Sequence, residues 1–378
     1  MSAALVVSLR GRAIPCARGR GARTARAVGS PRHCHRPRAA ELGPGTQGAG
    51  GNGLRIAIAG PGRTAGQRGA ARRLLAHRRT GSARVRAWTL PPRVSVVVLT
   101  HNRCRELCRT LGRLNAQPDS HPIVVVDNGS ADGTASTVLR QFPDVLLIRA
   151  GANLGAAGRN LGVERVTTPY VAFCDDDTWW GHGSLERAAD VLDRHADIAV
   201  LNACISVGAG EREDPACAAM ACSPLPRVAG VGPELTGFMA GACVMRVGAF
   251  RLAGGYWRPF FIGGEEALLA QDIMAEGGRI VYAPQLHVHH WPSLARDGAL
   301  RRRMLARNAL WTAWLRLPPA LALARSLSIL RGVPAWGARI QALRDACAHW
   351  RTIRAHRRPL DASICAKLKQ VWSTQAGR

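Results

Sequence analysis

Two stretches decide the fold: VSVVVLTHN, from Val94 to Asn102, and PIVVVDNGSADGT, from Pro122 to Thr134. Each is a continuous apolar, β-branched run that breaks into a cluster of polar residues. A strand with one wet face alternates apolar and polar residues, whereas an unbroken apolar run marks a strand covered on both faces, as in a parallel sheet. Between the two runs the pattern predicts a helix from about Arg105 to Asn115, and after the second a helix from near Asp132 to Gln141. VLLIRA supplies a third strand, Ala156 to Arg165 a third helix and YVAFCDDD a fourth strand. Strand and helix in strict alternation predict an open α/β sheet with right-handed crossovers. Ligands of such sheets lie beyond the carboxyl ends of the strands. Three of those ends carry polar clusters, at Thr100 to Asn102, Asp127 to Ser130 and Asp175 to Asp177, which should meet along one crevice.

Farther out the pattern changes. From Asp197 to Gly255 it loosens into short strands and the loop ACSPLPRVAGVGP, followed by TGFMAGACVMRVGAF. A helix over Ala267 to Glu276 closes on Gly277 and Gly278, and RIVYAPQLHVHHWP contains the last strand. Beyond Ser293 the chain reads as Arg-rich and helical, broken by Pro318, Pro319 and Pro334. Residues 1–90 are rich in Gly, Arg, Ala and Pro and too poor in apolar pattern to offset the entropy of ordering, so they are predicted to be disordered. Within them LRIAIAGPGRTAG, Leu54 to Gly66, imitates a strand and glycine turn but lacks the Lys-Ser/Thr pair of a phosphate-binding loop, and is read as chance.

Composition narrows the function. The 378 residues are 47% hydrophobic, which suits a globular core, and the formal charge is +27. That charge is unevenly spread: 19 of the 52 basic residues, but only the acid Glu41, precede Val94. No nucleic-acid partner is therefore expected for the ordered part. Only Lys367 and Lys369 are lysines, a bias toward arginine that reads as a coding effect. The eleven cysteines form no CxxC pair, and several, such as Cys174 and Cys243, fall in core-like segments, as thiols in a reducing cytoplasm do. There is no run of 18 uncharged apolar residues and no good secretory signal, so a cytoplasmic location is expected, although the Arg-rich, acid-poor start also imitates an organellar transit peptide.

Several clusters could carry chemistry. Side chains alternate along a strand, so Asp175 and Asp177 are expected on one face, placed to share Mg2+ or Mn2+, with Asp176 on the other. The competing reading is a solvated, helix-capping turn before Ser184. Asp127 could accept hydrogen bonds from a ribose or base, or close an Asx turn. NLGAAGRNLG, Asn153 to Gly162, offers close backbone approach with Arg159 as a phosphate partner, or a tight turn and close helix packing. Glu265 and Glu266 at a helix start suit either a general base or capping by charge. Of His287, His289 and His290, the first two share a face, and one of the three could join the aspartates on a metal.

In order and spacing these motifs resemble the family 2 glycosyltransferases of the GT-A fold: VSVVVLTHNR, VVVDNGSADGT, NLGAAGRNLG, FCDDD, the Gly-Gly-Glu-Glu helix start and a late histidine. The resemblance runs from about Val94 to Ser293. It implies a Rossmann-like open mixed sheet flanked by helices over residues 91–296, with a helical extension over 297–378. It further implies an inverting transfer of sugar from a UDP-, GDP- or dTDP-sugar to a glycan, lipid or small-molecule acceptor, as in cell wall or polysaccharide biosynthesis. Thr100, His101, Asn102 and Asp127 would hold the nucleotide, while strand alternation leaves Asp176 facing away, toward the donor ribose or a structural hydrogen bond. Asn153, Gly155 and Arg159 would flank the diphosphate. Asp175, Asp177 and His290 would bind the divalent metal. The family usually has Glu-Asp where this chain has Glu265-Glu266, and its second position is the base, which points to Glu266 with Glu265 as the alternative. A non-catalytic nucleotide- or nucleic-acid-binding protein and a nucleotidyltransferase remain the competing classes. Trp179, Trp180 and Trp257 are candidates for stacking on sugars or for the core. LRRRMLARNALWTAWLRL, Leu300 to Leu317, could dock on the catalytic domain or lie on an anionic membrane as a peripheral contact.

Overall fold

A computed structural model describes residues 91–292 and 298–376. The expectations for residues 1–90, including Leu54 to Gly66, lie outside them. The alternating half forms as the apolar runs require: β1 (Val94–Thr100), α1 (Cys104–Asn115), β2 (Ile123–Asp127), α2 (Thr134–Gln141), β3 (Leu146–Arg149), α3 (Gly158–Glu164) and β4 (Tyr170–Asp175). β1 lies between β2 and β4, parallel to both, and every β2 residue is buried. α1 turns Leu107, Thr110, Leu111 and Leu114 inward at helical spacing.

After β4 come β5 (Thr178–Trp180), α4 (Ser184–Arg194), β6 (Ile198–Val207), β7 (Arg212–Glu213), α5 (Pro215–Ala221), β8 (Arg227–Val228), β9 (Gly232–Leu235), β10 (Cys243–Arg246), α6 (Val247–Leu252), α7 (Glu265–Ala275) and β11 (Arg279–His290). The sheet order is β3-β2-β1-β4-β10-β6-β11-β9-β8, with β5 on β11 and β7 on β6. β10 runs antiparallel to β4 and β6, so the sheet is open and mixed. Helices flank it, as in the fold expected from the sequence. The α7 helix starts two residues earlier than its apolar pattern, because Gly264 takes a left-handed conformation (φ 86°) and lets the chain enter the helix at Glu265.

The chain continues helical as α8 (Gly298–Arg316), α9 (Pro319–Gly332), α10 (Trp336–Cys347), α11 (Trp350–Ala355) and α12 (Ala362–Ala376). α8 is docked: Trp311 and Leu315 are buried with Phe260, Leu268 and Ile353 in one apolar cluster. Arg316 forms a two-pronged ion pair with Asp272 of α7, and Lys367 of α12 reaches Glu234 of β9 at 2.9 Å. Among the described residues no helix is long and apolar enough to cross a membrane.

Candidate active site

Register aligns the polar strand ends. Thr100 pairs with Asp127 and Leu99 with Asp175, so the first, second and fourth strands end side by side. Beyond them the strand alternation expected for the three aspartates stops. β4 ends at Asp175, and Asp176 and Asp177 form a turn before β5. The three side chains therefore diverge by environment instead of by face.

Asp176 is the anchored member. Its carboxylate accepts from Thr100 Oγ1 at 3.1 Å and from Arg103 Nη1 at 2.5 Å, and its backbone oxygen accepts from Thr110 Oγ1 at 2.8 Å. Burial pushes its carboxyl up to about 7; Arg103 opposes that rise, while Asp177 and Asp175 add to it. Asp177 is 1% exposed, with Oδ2 3.4 Å from Arg103 and Oδ1 3.7 Å from His290 Nε2. The Trp291 amide donates to the Asp177 backbone oxygen at 2.8 Å, which pins the turn to the end of β11.

Asp175 is 44% exposed and is paired with Arg159, whose own side chain is 6% exposed. Arg159 also lies over the Tyr256 ring, 5.5 Å from its centroid. Burial lowers the Arg159 pKa, but Asp175, Tyr256, Glu265 and Glu266 more than offset this, leaving it above the usual arginine value. Arg159 is thus a buried cation between the aspartates and the two glutamates, both of which are buried at the start of α7.

The loop that delivers those glutamates is braced from two sides. Asn308 of α8, fully buried, donates its amide to the carbonyls of Phe260 (2.9 Å), Ile262 (3.2 Å) and Gly263 (2.6 Å). From the other side the Ala156 amide donates to Phe261 O at 2.7 Å, and Gly155 packs so closely on Phe261 that a side chain there would collide with it. The glycines of NLGAAGRNLG accordingly serve close packing. Gly158 abuts Leu99 and Asn128, and Gly162 abuts Val97 and Val126.

The remaining nucleotide candidates form a self-supporting rim. Asp127 Oδ1 accepts from the Ser130 amide, three residues on, at 2.8 Å and so closes the turn after β2. His101 Nδ1 lies 2.9 Å from Asn128 O, and Asn102, at φ 52°, accepts from the Ala131 amide at 2.7 Å. Asn153 Oδ1 accepts from Asn128 Nδ2 (3.0 Å) and from the Gly155 amide (2.9 Å). Trp180 is buried in the core, and Trp257 packs on Phe260 and Trp311. Trp179 borders a cleft, a space of about 440 Å3 lined also by Arg113, His289, His290 and Trp291. Trp179 stacks on His289 at 5.6 Å, and Arg109 lies over Trp291 at 5.4 Å.

As a place for a divalent cation, the Asp177 carboxylate and the His290 imidazole fit. They offer a hard carboxylate oxygen and a borderline imidazole nitrogen at one buried point, a pair that suits Mn2+ better than Mg2+, with substrate oxygens filling the remaining positions. Asp175 is engaged elsewhere: among the described residues, Asp175, Asp177 and His290 do not bring three donor atoms within sharing distance of one another. Sequence reasoning passed over Arg103, Tyr256 and Asn308. Arg103 directly follows the THN cluster and could have been noticed as a counter-charge to three aspartates, whereas nothing in the sequence marks Tyr256 or Asn308 individually.

An open mixed α/β sheet with carboxylates at its strand ends can hold a ligand beyond those ends, and comparison with known proteins supplies the class. Residues 95–251 match Glycosyl transferase family 2. That segment, 157 of the 378 residues, is similar to the family's domain, and the chain is a glycosyltransferase. It is 26% identical over 233 residues to the N-acetylglucosaminyl-diphospho-decaprenol L-rhamnosyltransferase of Mycobacterium tuberculosis, covering 52% of this chain and 75% of that protein. It is 37% identical over 113 residues to the validoxylamine A glucosyltransferase of Streptomyces hygroscopicus subsp. limoneus, covering 28% of this chain and 24% of that one. A solved structure of GalNAc-T7 with UDP, GalNAc and Mn2+ superposes with a TM-score of 0.48 at 15% identity, covering 60% of this chain and 48% of the other. Glu265, Glu266 and His290 all lie beyond the matched family segment.

Proposed function

We propose that this glycosyltransferase moves a sugar from a UDP-, GDP- or dTDP-sugar to a hydroxyl of a glycan, lipid or small-molecule acceptor, with inversion and with a divalent cation. The carrying observation is the alignment of Thr100, Asp127 and the Asp176–Asp177 turn at one sheet edge, facing His290 across 3.7 Å. Catalysis is assigned to residues 91–296, in the cytoplasm, with the helical extension supporting it.

Within this reading Asp177 and His290 would hold the cation, which when bound supplies positive charge to the leaving diphosphate. Arg103 holds the Asp176 and Asp177 carboxylates together against their mutual repulsion, and Thr100 fixes the orientation of Asp176. Glu266 takes the proton from the acceptor hydroxyl as it attacks the anomeric carbon from the face opposite the diphosphate, one displacement that inverts the centre. Arg159 lies beside Asp175, and its positive charge also acts on Glu265 and Glu266. Trp179 and Trp291 present flat apolar faces of the kind on which sugar rings stack.

A panel of UDP-, GDP- and dTDP-sugars, assayed for nucleoside diphosphate release with Mn2+ or Mg2+, tests the reading. Asp177→Asn should lower turnover by at least about 100-fold, the cost of removing a group that stabilises transition-state charge. Glu266→Gln should abolish transfer more completely than Glu265→Gln. No turnover on any donor, full activity of Asp177→Asn, or release of pyrophosphate would sink the proposal.

A further inference from the structure

Large apolar side chains exposed singly need no explanation, but here they are concentrated. Of the ten found exposed among the described residues, Leu323, Leu327, Trp336, Ile340, Leu343 and Trp350 fall within α9, α10 and the start of α11. Trp336, Ile340 and Leu343 follow the i, i+4, i+7 spacing of one helical face, and Leu323 and Leu327 repeat the i, i+4 spacing on α9. Both helices pack on α8, α9 through Ala322 and Ser326 and α10 through Ala342, so the apolar residues named are those turned away from that support. Trp336, the most exposed of the six, is 72% accessible.

Charge selects the occupant. Residues 298–376 contain fifteen Arg and Lys but only Asp345 and Asp361 as acids. Asp345 is already engaged by Arg303 at 2.7 and 3.0 Å and by Gln341 at 2.8 Å. A second copy of this chain would bring an equally cationic face, and the chain before Val94, with nineteen basic residues and one acid, would be repelled in the same way. A surface that is apolar within and anionic at its boundary satisfies both the tryptophans and the arginines.

We propose that the α9–α10 face docks this enzyme on an anionic lipid bilayer, with Trp336, Ile340 and Leu343 entering the headgroup region and the surrounding arginines meeting lipid phosphates. The contact lies on the surface and does not cross the bilayer. It is independent of which donor or base the catalytic site uses.

The test is sedimentation of the full chain with vesicles of phosphatidylglycerol or of phosphatidylcholine, at low and high salt. The expected result is binding to phosphatidylglycerol that falls at least tenfold for a Trp336→Ser, Ile340→Ser, Leu343→Ser variant and weakens with salt, with little binding to phosphatidylcholine. Thermal unfolding and turnover of soluble donor should match the parent, because all three side chains are exposed; the single Trp336→Ser variant, with an intermediate loss, guards against misfolding of the triple. Absence of binding to phosphatidylglycerol overturns the proposal, as does binding unchanged in the triple variant. A dimer in solution that the triple variant dissolves also overturns it, assigning the face to a second copy.

Discussion

Replacing Gly155 by alanine is expected to disable the enzyme through a loop that is distant in sequence. Gly155 has φ 60°, where an L side chain costs about 1–2 kcal/mol. Its new Cβ would stand 2.5 Å from the Phe261 carbonyl carbon and closer still to the oxygen, whereas real Cβ atoms keep at least 3.0 Å. One segment must therefore move by more than half an ångström, which breaks the 2.7 Å bond from the Ala156 amide to Phe261 O, worth about 1 kcal/mol. The sum is a loss of about 2–3 kcal/mol in stability. Because Phe261 lies four residues before Glu265, the displacement should also lower turnover roughly ten- to hundredfold, the sensitivity of a reacting geometry to shifts of this size. Gly151→Ala is the matched control. It has φ 74° but open space around it, so it should lose about 1 kcal/mol and keep its activity. Urea unfolding and donor turnover, measured on both variants, decide the matter. Equal effects at the two positions would show that conformational strain alone is at work and refute the collision argument.

Asn308→Ala should cost about 2–3 kcal/mol in urea unfolding and lower turnover, because two amide protons shared among three buried carbonyls are lost. Asn308→Asp should be worse, since a carboxylate would face those carbonyls with no proton to donate. Stability should also depend on His121, whose pKa burial holds below the ordinary value of 6.5. The unfolded chain takes up that proton more readily, so this contribution is complete above the ordinary histidine range and declines as pH falls below about 6.5. The urea midpoint should drop over that window, and His121→Gln should flatten the drop; an unchanged slope in that variant would remove His121 from the account.

Strands with two covered faces were legible because nothing but burial on both sides produces a run such as Val96, Val97, Val98 or Val124, Val125, Val126. Their ends were legible for the same reason: the polar residues after Leu99 and Val126 have no apolar layer to enter. The aspartates were misread at one step, since alternation holds only while the chain stays extended, and it turns after Asp175. The glycines near Gly155 suited either a phosphate or close packing, because a glycine pattern records close approach without saying whether ligand or backbone approaches. The tie from Asn308 to the carbonyls of residues 260–263 left no trace in sequence, because it joins backbone oxygens, which every residue has. The chain beyond Ser293 likewise read as helical without distinction, although Trp311 is buried and Trp336 exposed. An apolar stripe looks the same whatever covers it.

The amide of Asn308 also bears on what can be inherited or exchanged as a unit. A segment limited to residues 95–251 would keep Thr100, Asp127 and the three aspartates but lack Glu265, Glu266 and His290. One ending at residue 296 would regain those three side chains, yet leave the carbonyls before Glu265 without their donor and Leu268 without Trp311 and Leu315 beside it. Recombination between relatives therefore has to bring the helices after residue 297 together with the strands they support, and a graft of the sheet alone would give a protein with its glutamates in place but poorly aimed.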